Sequence, residues 1–337
     1  MKLSIITTIY KAEKDLPRLL DSMMQQKSPE LEFFLIDNGS PDRCGEIAAE
    51  YAKRDSRFTI YTIKDNIGYI RARNEGIRVC TGDYIGFCDS DDFLVPEAYD
   101  RAIEKIHETN CDLYITSYHT ISGDVILENK LPYNEGLYDK KSIVEAILPN
   151  TFGPFNGKPA LYGFMWKQIF RHSLILDNRI LFDDTLKPCE DEIFNIDVIK
   201  LCKSIFICDN PIYNYVVNSE SITARLASSF NFVNEYRFAR KIYDEKQRRL
   251  TNTNEAQALS SRLLGSLYSM FLNEAKLINK SLYQSLSDID SVYDDAWIQD
   301  VLHKSVAPTI RLKVVRFLLI HGLYNLLLFL MKLVNKK

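Results

Sequence analysis

Gly82-Asp83-Tyr84-Ile85-Gly86-Phe87-Cys88-Asp89-Ser90-Asp91-Asp92 is the stretch on which the fold turns. Asp83 to Cys88 reads as a buried strand, a short apolar run that halts at polar residues. Three carboxylates then fall within four positions. At that spacing they repel one another and cost stability unless a cation or hydrogen bonds neutralise them. Hard carboxylate oxygens suit Mg²⁺ or Mn²⁺, ions usually held by one or two carboxylates together with substrate phosphates. A solvated turn leading to a helix near Pro96-Glu97 uses the same residue types, so spacing alone leaves both readings open.

Working outward, strands and helices alternate on both sides of this stretch. Leu3 to Thr7, Glu32 to Asp37, Phe58 to Ile63 and Asp112 to Thr116 read as strands. Leu16, Leu19, Leu20, Met23 and Met24 recur at i, i+3, i+4, i+7 and i+8, one face of a helix. Further helices are expected around Ile47 to Tyr51, over Tyr69 to Val79 and over Glu97 to His107. The pattern implies βαβ units, an α/β fold and a mostly parallel sheet flanked by helices. Gly123 to Pro159 reads as loops and short elements, whereas Leu161 to Leu176 and Glu190 to Cys202 read as helices. Beyond Ser228 the pattern is helical almost throughout.

In open α/β sheets, ligands bind beyond the carboxyl ends of the strands. Thr7, Thr8 and Tyr10 follow the first strand, Asp37 and Asn38 the second, and the acidic turn the fourth. Tyr10 can stack on a base, and Asp37 and Asn38 can hydrogen-bond a base or ribose. Taken singly, each is more often a packing residue or a turn former.

Five motifs in order resemble the family-two inverting glycosyltransferases of the GT-A fold. Ser4-Ile5-Ile6-Thr7-Thr8-Ile9-Tyr10 is similar to the family's first strand and uridine-facing loop. Asp37-Asn38-Gly39-Ser40-Pro41-Asp42 is similar to its Asp-Asp-Gly-Ser-Thr-Asp turn. Asn66-Ile67-Gly68 with Ala72-Arg73-Asn74-Glu75-Gly76 resembles its Asn-x-Gly and Ala-Arg-Asn-x-Gly segment. Gly82 to Asp92 resembles its metal-binding strand end, and Glu190-Asp191-Glu192-Ile193-Phe194 its Glu-Asp-x-x-Phe element. Lys11 and Asn38 depart from the family's usual Asn and Asp.

The resemblance implies a GT-A, Rossmann-like catalytic domain over residues 1–225, and the residue pattern beyond it gives a helical extension over 226–310 and a terminal segment, 311–337. It implies transfer of a sugar from a nucleoside-diphosphate sugar, UDP foremost, to a hydroxyl of a glycan or lipid-linked saccharide. The setting implied is bacterial surface polysaccharide synthesis. Asp191 takes the position of the catalytic base. Asp89 and Asp91 take the Mg²⁺ or Mn²⁺ positions. Thr8, Tyr10, Asp37, Asn38, Arg73 and Asp89 take donor-nucleotide positions. Two other readings use the same residues. A phosphotransferase would want its Asp-x-Asp on the first strand. A non-catalytic, membrane-associated sugar-binding protein would not need the acidic cluster intact.

Composition limits the rest. With 337 residues, 46% hydrophobic and 26% charged, the chain can bury a sizeable core. A net charge of −3 gives no overall pull toward nucleic acid. The 7 cysteines form no Cys-x-x-Cys pair, which fits reduced thiols in the cytoplasm. From Phe317 to Met331 the chain carries no Lys, Arg, Asp or Glu, a run of 15 residues that falls short of the ~20 a spanning helix needs. With basic residues on both sides, 311–337 reads as one amphipathic helix on an anionic membrane surface, peripheral on the inner face of the cell membrane. The alternative is a core helix packed on the upstream helices.

Overall fold

The computed structural model describes residues 1–161, 163–218, 230–277 and 279–334. The chain divides into two compact units. The first is Met1–Glu145 with Gly163–Val217, and the second is Ala146–Tyr162 with Asn218–Lys337. The expected boundary at 225/226 lies outside the described residues.

The first unit is built on strands β1 (Leu3–Ile9), β2 (Leu31–Asn38), β3 (Phe58–Ile63), β4 (Tyr84–Phe87), β5 (Phe93–Leu94), β6 (Leu113–Thr116), β7 (Tyr118–Ser122), β8 (Val125–Asn129), β9 (Gly136–Asp139), β10 (Gln168–Arg171), β11 (Ser204–Cys208) and β12 (Tyr213–Val216). Its helices include α1 (Leu16–Met24), α2 (Cys44–Arg54), α3 (Tyr69–Val79), α4 (Ala98–Thr109), the short α5 (Lys140–Ser142) and, past an excursion into the second unit, α7 (His172–Asp177) and α8 (Glu190–Leu201). The main sheet has the order β3-β2-β1-β4-β10-β6-β11-β9. β3, β2, β1 and β4 run parallel, as do β6 and β11, while β10 and β9 pair antiparallel to their neighbours. A smaller sheet, β5-β12-β7-β8, carries the chain just after the acidic turn.

The alternation expected up to Thr116 is present, and so is the mostly parallel sheet. Leu16, Leu19, Leu20 and Met23 of α1 are fully buried in one core with Leu3, Ile5, Phe33 and Tyr99. On the opposite face α3 lies close to β1. A Cβ on Gly76 would stand 2.4 Å from Ile6, so only glycine allows this approach.

One element differs from the sequence reading. Within Leu161–Leu176, expected as a helix, Gln168–Arg171 is strand β10, preceded by the 3₁₀ turn Met165–Lys167, and only His172–Asp177 is α-helical. Ile169 and Phe170 are both fully buried, on opposite faces of a strand set between β4 and β6. A four-residue strand whose two apolar residues fall on opposite faces has no period of two to distinguish it from a buried helix.

The second unit holds α6 (Leu148–Phe152), α9 (Phe232–Gln247), α10 (Thr253–Lys276), α11 (Leu282–Asp290), α12 (Asp295–His303), α13 (Ile310–Ile320) and α14 (Tyr324–Val334). Leu264, Leu267 and Phe271 of α10 are fully buried. The segment expected as one helix over 311–337 is two. Gly322 adopts φ +67°, and the Leu323 N–H reaches back to the Leu318 carbonyl at 2.7 Å, the signature of a helix closed by a left-handed glycine. His321, Asn325 and Lys332, which one continuous helix would align on a face, are therefore divided between the turn and α14. Leu319 and Leu328 are buried, whereas Ile310, Phe317, Leu326 and Phe329 are exposed. Among the described residues no helix is long and apolar enough to cross a membrane.

Candidate active site

The carboxyl ends of β1, β2 and β4 lie side by side, since β1 pairs with both β2 and β4. This rim collects the polar residues singled out from the sequence. Tyr10, just past β1, is exposed, and Lys11 beside it takes φ +53° with its ammonium 5.4 Å from the Tyr10 ring. Thr8 is half-buried. Thr7 is fully buried, and its hydroxyl has no partner.

At the end of β2, Asp37 accepts the Ser40 N–H at 3.0 Å, closing the turn through Gly39. Asn38 is spent on a loop. Its amide donates to Asn66 Oδ1 at 3.2 Å, and its carbonyl accepts the Ile67 N–H at 3.0 Å. The Asn-Gly pair is required here: a Cβ on Gly39, at φ +68°, would meet the Asn66 nitrogen at 2.9 Å.

The acidic turn splits in two. Asp92 is 1% exposed and serves the scaffold: it accepts the Tyr213 hydroxyl at 2.7 Å and the Val216 N–H at 2.7 Å. That ties the turn to β12. Tyr213 in turn accepts the Asp89 N–H at 3.0 Å. Asp89 and Asp91 are left for chemistry. Burial, then the nearby Asp89 charge, pushes Asp91 up to about 6. The same two causes push Asp92 up to about 8. Carboxylates crowded this way fit a divalent ion. The donor set, two hard oxygens from Asp89 and Asp91, suits Mg²⁺ or Mn²⁺ completed by phosphate and water. Among the described residues no three His, Cys, Asp or Glu side chains form a closed metal cage.

Arg73, on α3, is the centre of the site. It is 8% exposed and donates to Asp89 at 3.3 Å and to Asp191 at 2.8 Å. Its guanidinium also lies 5.1 Å from the Phe182 ring. One turn earlier on the same helix, Tyr69 donates to Glu190 at 2.6 Å. The i, i+4 pair on α3 thus grips the adjacent pair Glu190-Asp191 at the start of α8. Asn74 adds a third clasp, trading hydrogen bonds with the Phe182 backbone at 2.9 Å in each direction. Burial is the largest influence on Asp191 and pushes it up to about 7. Arg73 pulls it back, while Glu190 and Asp89 push it further up. The second Glu190 oxygen is buried without a partner.

The structure thus brings Arg73, Asp89, Asp91 and Asp191 together and sets Thr8, Tyr10 and Asp37 along the same rim. Sequence reasoning missed Tyr69, Glu190 and Tyr213. Tyr69 carried a usable signal, since it stands four residues before Arg73 on one helix face. Tyr213 carried none.

Residues 4–161 match the model of Glycosyl transferase family 2. The chain is 29% identical over 222 residues to the uncharacterized glycosyltransferase EpsJ of Bacillus subtilis (strain 168), a match covering 65% of this chain and 62% of that protein. It is 25% identical to the putative glycosyltransferase EpsH of the same organism, over 90% of this chain and 86% of EpsH. Among solved structures, residues 1–349 of Staphylococcus aureus TarS in complex with UDP-GlcNAc superpose with a TM-score of 0.69 at 21% identity, covering 100% of this chain and 91% of that one.

Proposed function

We propose that this chain is a glycosyltransferase that transfers a sugar, with inversion, from a UDP-sugar to a hydroxyl of a glycan or lipid-linked saccharide, a reading supported by the match of residues 4–161 to Glycosyl transferase family 2 and by the likeness to EpsJ. The setting is cell-surface polysaccharide synthesis. One observation carries the reading: a single buried guanidinium joins Asp89 of the acidic turn to Asp191 at the head of α8.

The acceptor hydroxyl must lose its proton as it attacks the anomeric carbon. Asp191 accepts that proton, and a carboxyl raised to about 7 is suited to do so near neutral pH. Arg73 holds Asp191 in place and leaves its other oxygen for the acceptor. Attack from the face opposite the diphosphate inverts the anomeric centre. Asp89 and Asp91 would hold Mg²⁺ or Mn²⁺, which when bound neutralises charge building on the departing diphosphate. Tyr10, Thr8, Asp37 and Asn38 border the nucleoside. TarS, bound to UDP-GlcNAc in its structure, is named a poly(ribitol-phosphate) beta-N-acetylglucosaminyltransferase. That name supports a uridine donor and a polymeric acceptor here.

The helical hairpin α13–α14 supports a place on an anionic membrane at the inner face of the cell membrane. Its outward residues Ile310, Val314, Phe317, Leu326 and Phe329 are exposed, and no acidic residue follows Asp300. Arg311 and Lys313 stand in the first turn of α13 and Lys332 in the last turn of α14, cations near this apolar surface in sequence. Paired substitutions Phe317→Asp and Phe329→Asp test this. They lie on the exposed face, so the fold persists, and sedimentation with phosphatidylglycerol vesicles is expected to fall. Unchanged sedimentation would remove the membrane from the proposal. The transfer reading itself is tested by incubating the chain with a panel of UDP-sugars and measuring released UDP, with MnCl₂ and with EDTA. Metal-dependent release is expected. No release from any donor, with the domain folded, would overturn the reading.

A further inference from the structure

The sheet brings one more charged residue, by its backbone, beside the acidic turn. β10 runs antiparallel to β4, with Ile169 opposite Gly86 and Phe170 opposite Ile85. Stepping back along β10 brings Lys167 level with Cys88, the residue before Asp89. The loop that delivers Lys167 is fastened on two sides. Asn195 of α8 donates to the Gly163 carbonyl at 2.8 Å and to the Asp191 carbonyl at 2.9 Å, which ties the loop to the helix of the base. Trp166 stacks on Tyr213 at 4.6 Å, the ring whose hydroxyl bonds Asp92.

Lys167 is 4% exposed. Among the described residues its ammonium has no hydrogen-bond or ion-pair partner. It faces the Phe164 ring at 5.2 Å and the Tyr118 ring at 5.8 Å. Two ring faces return only part of the hydration that a buried ammonium gives up. Burial alone draws its pKa down to about 7. Next to it in the sheet, Gln168 Oε1 and Ser117 Oγ are also buried without partners. An apolar side chain of similar length would fill this place without the electrostatic cost. A buried amine kept without a counter-ion, on a residue whose backbone lies level with the strand end before the acidic turn, is accounted for if the counter-ion arrives with the substrate.

We propose that Lys167 recognises substrate, its ammonium receiving an anionic phosphate or carboxylate oxygen of the bound donor or acceptor. This rests on the donor-site reading above. The test is titration calorimetry in MgCl₂ on the wild-type chain and on Lys167→Met. Four probes are used: UDP, UDP-glucose, UDP-glucuronate, and inorganic phosphate added to UDP-saturated protein. Loss of a charge-assisted hydrogen bond is expected to weaken one of them by about 10- to 100-fold. Weakened UDP assigns the diphosphate. A loss confined to UDP-glucuronate assigns a sugar carboxylate, and one confined to phosphate assigns an acidic acceptor group. Each of these outcomes supports the proposal, and equal affinities for all four probes overturn it. Lys167→Met is expected to melt no lower than wild type, since methionine fills the site without a buried charge. Should that variant not fold, Lys167→Gln takes its place in the same titrations. A wild-type chain that binds no nucleotide would remove the donor-site reading, and this one with it.

Discussion

Two strand ends on one sheet start from similar residues and finish with opposite roles. At the end of β2, Asp37 and Asn38 are consumed by their own neighbourhood. Asp37 closes a turn on Ser40, and both polar groups of Asn38 stitch the loop at Asn66-Ile67. At the end of β4, Asp89 finds one shared guanidinium. The Asp91 carboxylate draws no hydrogen bond from another described side chain, and its pKa is raised. A strand-end carboxylate or amide that local donors satisfy also holds the fold, and one that they do not satisfy is left open to a ligand. Asp92 shows the same contrast within a single turn, since two donors satisfy its carboxylate while no described side chain donates to that of Asp91.

The largest effect expected from this contrast is at Asp191. Asp191→Asn keeps the size but cannot accept a proton at neutral pH. Transfer is expected to fall about 10²- to 10⁴-fold while UDP affinity measured by calorimetry holds. A near-wild-type rate would leave Glu190 or Glu192 as the base. In the wild-type chain, kcat/KM is expected to rise with pH through about 7, because the deprotonated carboxylate is the active form. Asp91→Asn comes next. It is expected to cut metal-dependent UDP release by at least about 10²-fold without unfolding the domain, since the variant also relieves carboxylate repulsion.

Asn38→Ala tests the other strand end. It strands buried groups of the Asn66-Ile67 loop and is expected to cost about 1–3 kcal/mol in denaturant unfolding, with UDP affinity changed less than its stability. A collapse of UDP affinity in a fully stable variant would move Asn38 from scaffold to nucleotide site. The smallest effect is a pH trend. Asp91, Asp92 and Asp191 all have folded pKa values raised above the ordinary carboxylate range. The folded chain therefore holds more protons than the unfolded one between roughly pH 4 and 8, and metal-free stability is expected to decline as pH rises across that window. Thermal melts with EDTA read this directly, and added MnCl₂ is expected to flatten the decline at the upper end. A melting temperature that climbs with pH would contradict the raised values.

The sequence foretold this site unevenly, and the reasons are physical. Residues 3–116 alternate cleanly because each helix has one apolar stripe and each strand a short apolar run, so both periods are visible. β10 was hidden because Ile169 and Phe170 are buried on both sides. The acidic turn stood out through charge density, but nothing local separated Asp92 from Asp89 and Asp91. That division is made by Tyr213 and Val216, more than a hundred residues away. The joining of Asp191 to Asp89 likewise depends on Arg73, a partner no spacing reveals. Gly322 did signal the break in the terminal segment, yet the apolar run around it outweighed one glycine.

The double grip of α3 on α8 has a consequence for how such enzymes can be recombined. Tyr69 and Arg73 hold Glu190 and Asp191 as a matched set. A chimera that takes residues 1–145 from one relative and 163–217 from another inherits two halves of a lock cut to different keys. Its strand-end rim stays whole, but Asp191 is seated by foreign contacts. Exchanges confined to the ends of β1 and β2 leave that set intact. Any graft that crosses between α3 and α8 must carry all four residues together.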